Sequence, residues 1–113
     1  MHELSLCEGI LKVLEEQAEA QGFRRVRTVI LEIGGLAGVE IEALRFGFDS
    51  VMTDSLAQGA RLEIVELPGQ AWCMNCAAAV AIAQRYDSCP RCGGYQLQVT
   101  GGDQMRIKEL EVE

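Results

Sequence analysis

The sequence predicts an α+β fold: a small sheet of about three strands covered by two helices, with a smaller lobe inserted into it. Three observations carry this reading. Two segments repeat apolar residues at helical spacing, three others read as strands, and four of the five cysteines form two Cys-x-x-Cys pairs. The last strand-like segment lies beyond the cysteine pairs, so the lobe interrupts the first domain.

Leu4, Cys7, Leu11, Leu14 and Ala18, with Ile10 beside them, recur at three- and four-residue steps and predict a helix over about residues 4–20. Glu15, Glu16 and Glu19 fall on its wet side, and Gly22 is a natural stop. Cys7 lies on the apolar stripe, where it reads as a small buried hydrophobe. The β-branched run from Val26 to Ile33 predicts a strand. Gly34, Gly35 and Gly38 then break it. They match neither phosphate-binding glycine pattern, so a plain strand-to-helix turn is expected. Ile41, Leu44, Phe48, Val51 and Met52 mark a second amphipathic helix, near 40–53.

Residues 61–67 alternate as a strand, with Leu62 and Ile64 on one side and Val65 and Leu67 on the other. Pro68-Gly69 punctuates it and marks a domain boundary. Ala79–Ala83 and Tyr86 predict short strands joining the two cysteine pairs, and Gly101-Gly102 a return hinge. Residues 105–112 form the last strand, whose Ile107, Leu110 and Val112 need a core to enter.

The cysteine pairs are Cys73-Met-Asn-Cys76 and Cys89-Pro-Arg-Cys92, with twelve residues between them. Two such knuckles bring four thiolates within tetrahedral reach of one Zn²⁺, the closed arrangement of a structural site. The inserted lobe is therefore expected to be zinc-ribbon-like. A thiol oxidoreductase is the rival reading, but redox Cys-x-x-Cys motifs usually occur singly, near a helix start and free of metal.

Composition narrows the function. No stretch approaches the ~20 apolar residues of a membrane span. The Met-His-Glu start lacks the basic-then-apolar layout of a secretory signal, so a cytoplasmic protein with reduced cysteines is expected. Seventeen acidic against ten basic residues give a net charge of −7. A nucleic-acid partner is disfavoured, because binding phosphates needs a basic surface. Within the lobe, Arg85 and Arg91 merely balance Asp87 and Asp103. With a single histidine, at position 2, hydrolase sets such as Ser-His-Asp lack their parts.

That histidine is the most pointed feature of the first domain. A free α-amino nitrogen at Met1, the His2 amide nitrogen and His2 Nδ1 can close two fused chelate rings around one metal. The Glu3 amide, the Glu3 carboxylate or a water can take the remaining place. A planar nitrogen set suits Ni(II) or Cu(II) rather than tetrahedral zinc. A lone histidine at position 2 is more often part of a frayed terminus. Here the chain starts with it, Glu3 follows it, and a helix begins at once to hold it.

Taken together, Met1-His2-Glu3, the turn Ile33–Val39, the segment Glu42–Phe48, the four paired cysteines and the ending Gly102–Glu111 resemble the HypA/HybF family. These are nickel metallochaperones for [NiFe]-hydrogenase maturation, and the resemblance spans essentially the whole chain. It implies a non-catalytic protein with transferred Ni²⁺ and structural Zn²⁺. His2 resembles the essential nickel ligand, Glu3 the neighbour that coordinates or orients, and Met1 the source of the terminal amine. Cys73, Cys76, Cys89 and Cys92 resemble the zinc ligands. Residues 1–69 plus 104–113 would form the nickel-binding domain and 70–103 the zinc-binding domain. The implied partners are a HypB-like GTPase and the hydrogenase large subunit, with urease maturation served by some members. No membrane or nucleic-acid partner is expected, and the chain should be a monomer or weak homodimer. The rival is a zinc-ribbon module that binds protein or nucleic acid and has no nickel function.

Overall fold

The computed structural model describes residues 2–113. Helix α1 (His2–Gln21) starts two residues earlier than its apolar stripe predicts. Glu3 lies in its first turn, where negative charge complements the helix dipole. Gly22 closes it in the left-handed region (φ +80°), donating its amide to the Ala18 carbonyl at 2.8 Å. Cys7, Ile10 and Leu14 are the buried stripe, whereas Leu4 remains exposed.

Strand β1 (Val26–Gly34) follows, then α2 (Ile41–Met52), β2 (Arg61–Leu67), β3 (Gly69–Cys73), β4 (Ala78–Ile82), β5 (Leu97–Gly101) and β6 (Met105–Val112). Strands β1, β2 and β6 form one sheet in the order β2-β1-β6. The chain thus returns after the cysteine pairs to complete this sheet, as the apolar pattern of its last segment requires. The sequence reading found these three strands to within a residue.

By compactness the chain divides into two units. The first takes the residues up to Leu31, Val39–Ile64 and Ile107–Glu113; the second takes Glu32–Gly38 and Val65–Arg106. The buried side chains of the first unit come from α1, from Val26, Val29 and Leu31 of β1, and from Leu44, Phe48 and Met52 of α2. Helix α1 lies against α2 where a glycine lets it approach: a β-carbon on Gly47 would sit 3.5 Å from Cys7 Sγ and 3.7 Å from Leu4 Cδ1. Cys7 Sγ donates to the Leu44 carbonyl at 3.4 Å. Burial pushes this thiol up to about 11, so it stays neutral, as its position on the stripe implied.

The second unit holds a sheet in the order β4-β3-β5, antiparallel throughout. Of its strands only β4 was legible in advance. Its core is small: Leu36, Ala71, Cys73, Val80, Ile82 and Cys89, with Cys76, Leu97 and Val99 packed beside them. The large residues Trp72, Tyr86 and Tyr95 stand at the surface instead, Tyr86 at 91% exposure. Leu36 is supplied by the glycine-rich turn after β1. That turn is pinned by Gly34 N donating to the Gln104 carbonyl, Gly35 N to Leu67 and Leu36 N to Gly102, each at 2.8–2.9 Å. The glycines do end the strand, but they also carry an apolar side chain into the cysteine-bearing unit.

Candidate metal centres

Each cysteine of the zinc-type cluster is positioned by backbone. Cys73 ends β3, whose alternation turns Ala71 and Cys73 inward and Gln70 and Trp72 outward. Cys76 follows in the tight turn before β4. Its amide donates to Cys73 Sγ at 3.4 Å. The second knuckle is drawn together by Cys89 N to the Gly94 carbonyl at 2.7 Å and Gly93 N to the Cys89 carbonyl at 2.8 Å. Arg91 N donates to Cys89 Sγ, and Gly94 N to Cys92 Sγ, both at 3.4 Å.

All four sulfurs lie within 4.8 Å of one another. Cys73 Sγ to Cys92 Sγ is 3.7 Å, and Cys76 Sγ to Cys89 Sγ is 3.9 Å. Tetrahedral zinc with bonds of ~2.3 Å sets sulfurs about 3.8 Å apart. No cysteine is disulfide-bonded. The donor set therefore fits Zn²⁺ both in number and in spacing.

Proton affinities across the cluster point the same way. The Gly94 amide, helped by the Asn75 carboxamide, holds Cys92 down to about 6. Cys89 is likewise lowered, first by the Cys92 amide. Cys76 is pushed up to about 12, chiefly by its contact with the Cys92 sulfur. Four crowded sulfurs without a cation must share protons, since adjacent thiolates repel. A dication removes that conflict and deprotonates all four.

The other candidate centre begins at His2. Met1 lies outside the described residues. His2 is the first residue of α1, with its side chain 60% exposed and Nδ1 3.6 Å from Glu3 Oε2. Helix geometry leaves the amides of this first turn without intrahelical partners. Their nitrogens can therefore turn to a metal without breaking a helical bond. Glu3 is far less exposed, at 16%. Its Oε2 accepts the Glu40 amide at 3.1 Å, and that bond is the main reason its carboxyl titrates below the usual range. Sequence reasoning placed Glu3 beside His2 but did not find Glu40, which no local pattern links to residue 3.

The family model described as "Hydrogenase/urease nickel incorporation, metallochaperone, hypA" matches residues 1–112. The hydrogenase maturation factor HypA of Azotobacter chroococcum is 67% identical over 113 residues, covering 100% of both chains. That of Alkalilimnicola ehrlichii is 65% identical over the same span. The solution structure of the Ni metallochaperone HypA from Helicobacter pylori superposes with a TM-score of 0.70 at 24% identity, covering 97% of this chain and 96% of its own, a likeness of fold. A second HypA solution structure gives 0.72 at 25% identity, covering 100% of this chain and 97% of the other.

Proposed function

From the premise that the chain belongs to the HypA family of hydrogenase and urease nickel-incorporation metallochaperones, we propose how its residues carry nickel in hydrogenase maturation. The cargo site is the start of α1. The Met1 amine, the His2 amide nitrogen and His2 Nδ1 chelate Ni²⁺, and Glu3 completes or orients the set. The observation that carries this is the exposed His2 imidazole at the first turn of a helix whose amides have no helical partners.

The chemistry is transfer. An exposed terminal site lets an acceptor's ligands replace the donor's one at a time, whereas an enclosed cage would hold the metal and release it poorly. Nitrogen ligands prefer Cu²⁺ to Ni²⁺, so affinity alone does not select the cargo. Selection then rests on metal supply and on docking to the right partner. We assign that docking to a HypB-like GTPase and to the hydrogenase large subunit, in the cytoplasm. Among the described residues no helix is long and apolar enough to cross a membrane. No catalytic step is assigned to this chain.

Zinc is structural in this reading, held by Cys73, Cys76, Cys89 and Cys92, and it supplies the cross-link that a small core lacks. Residues 1–69 with 104–113 serve nickel, and 70–103 serve zinc. The direct test is nickel titration and metal analysis of untagged protein against His2→Ala. One nickel and one zinc per wild-type chain, with nickel lost and zinc kept in the variant, supports the assignment. A variant that still binds one nickel with the wild-type spectrum overturns it.

A further inference from the structure

Helix α2 lacks a cap of its own. Its N-cap residue is Glu40, whose side chain makes no capping hydrogen bond. In a capping box a Glu or Gln three residues into the helix reaches back to the N-cap amide. That position here is Ala43, which has nothing to reach with. The Glu40 amide is instead taken by the carboxylate of Glu3, 37 residues away in sequence, at 3.1 Å.

The same oxygen, Oε2, lies 3.6 Å from His2 Nδ1. Below it on α1, Leu4 and Cys7 approach Gly47, and Cys7 bonds the Leu44 carbonyl. Residues 3, 4 and 7 of α1 thus form a continuous seam with α2, and Glu3 is its terminal contact. A carboxylate committed to this seam faces α2. For Oε2 to enter a metal's coordination sphere it would have to abandon the Glu40 amide.

We propose that Glu3 is a positioning residue, not a nickel ligand through its side chain: its carboxylate caps α2 from the neighbouring helix and so fixes the start of α1, where His2 presents its imidazole. This deepens the nickel reading above and rests on it. The metal then meets backbone and imidazole nitrogens only, and α2 is coupled to the cargo site through one hydrogen bond. Loss of that bond should loosen the first turn and speed nickel exchange.

The test uses the untagged full chain, with Glu3→Ala and with Glu3→Gln, which keeps an acceptor oxygen. Three quantities are read: hydrogen exchange at the Glu40 amide, the nickel absorption spectrum, and the rate of nickel release to EDTA. In metal-free protein, Glu3→Ala should raise Glu40 exchange on the order of tenfold, the loss of ~1.4 kcal/mol of protection. Nickel should leave this variant about tenfold faster, with the wild-type spectrum, and Glu3→Gln should recover both rates in large part. Unchanged Glu40 exchange in Glu3→Ala overturns the cap. Loss of Glu40 protection when wild type takes nickel, or a changed spectrum in Glu3→Gln, shows that the carboxylate ligates and overturns the positioning role. If His2→Ala binds nickel as wild type does, the nickel reading fails separately, and the metal-free exchange still decides whether Glu3 caps α2.

Discussion

Gly34 and Gly102 meet backbone to backbone: a β-carbon on Gly34 would overlap the carbonyl group of Gly102. Gly102 is itself in the left-handed region (φ +73°), and a β-carbon there would lie 2.6 Å from the Cα of Gly69. Backbone cannot retreat as a flexible side chain can. Gly34→Ala should therefore destabilise the protein by at least ~1–3 kcal/mol, the ordinary cost of overpacking. Gly9 is the control, since a β-carbon there meets nothing within 4 Å in the middle of α1. Gly9→Ala should stabilise by about 0.5–1 kcal/mol through helix propensity. Chemical denaturation of the two variants checks both signs.

This contact marks what the sequence could and could not disclose. Both helices and the strands of the β2-β1-β6 sheet were legible because periodicity is a local signal. The two cysteine pairs were legible because metal spacing is equally local. What escaped depends on distant residues: Gly34 meeting Gly102, Leu36 entering the core of the cysteine-bearing unit, and Glu3 reaching Glu40. Strands β3 and β5 escaped because each is five residues long and sets glycine and glutamine among few apolar residues, with alanine in β3 and threonine in β5. The lobe's large aromatics, Trp72, Tyr86 and Tyr95, stay at the surface, while Cys73, Cys76 and Cys89 join the apolar side chains of its small core.

Removing zinc should unfold the lobe. Its buried set consists of small and medium side chains around Cys73 and Cys89, too little apolar area to replace a metal cross-link. Structural zinc contributes on the order of 10 kcal/mol in comparable small domains. A strong chelator should abolish amide protection across residues 70–103 and shift Trp72 emission. A lobe that keeps its protection after complete demetallation would refute the structural role.

In both knuckles the second cysteine is followed by a left-handed residue: Gly93 at φ +76° and Ala77 at φ +51°. An L-residue pays about 1–2 kcal/mol there, part of which glycine returns through its greater freedom when unfolded. Ala77→Gly should therefore leave stability unchanged or raise it by up to ~1 kcal/mol, whereas Gly93→Ala should lower it. Midpoints of zinc-loaded unfolding for the pair decide it, and equal losses would contradict the strain at Ala77.

Cys7 sets a pH dependence. Its folded value is raised from the ordinary thiol value of 9.0 to about 11, because burial disfavours the thiolate. Only the unfolded chain then ionises this thiol between these limits, so stability attributable to it is full below pH 9. It declines as pH rises from 9 to 11. Cys7→Ala should remove this alkaline slope while lowering stability at pH 7 by about 1 kcal/mol or more, the cost of an emptied contact. In wild type at pH 8, thiol reagents should reach Cys7 only as fast as the first unit opens.

Nickel binding should depend on the terminal amine itself. The amine and imidazole must lose protons before they bind, and any amide ligand must release one. Affinity should consequently fall as pH drops from about 7.5 to 6, because protons compete for the same nitrogens. Glu3 takes no part in that fall. The Glu40 amide holds its carboxyl below the usual glutamate range, so it stays ionised throughout this pH range. A single residue placed before Met1 should damage the nickel site although every side chain remains. His2→Ala removes the imidazole and should abolish it. The extended protein separates a terminal-amine chelate from an ordinary histidine ligand, because only the former needs residue 1 to carry the free amine. If that protein binds nickel with wild-type affinity, spectrum and pH dependence, the chelate is wrong and the metal must sit on other donors.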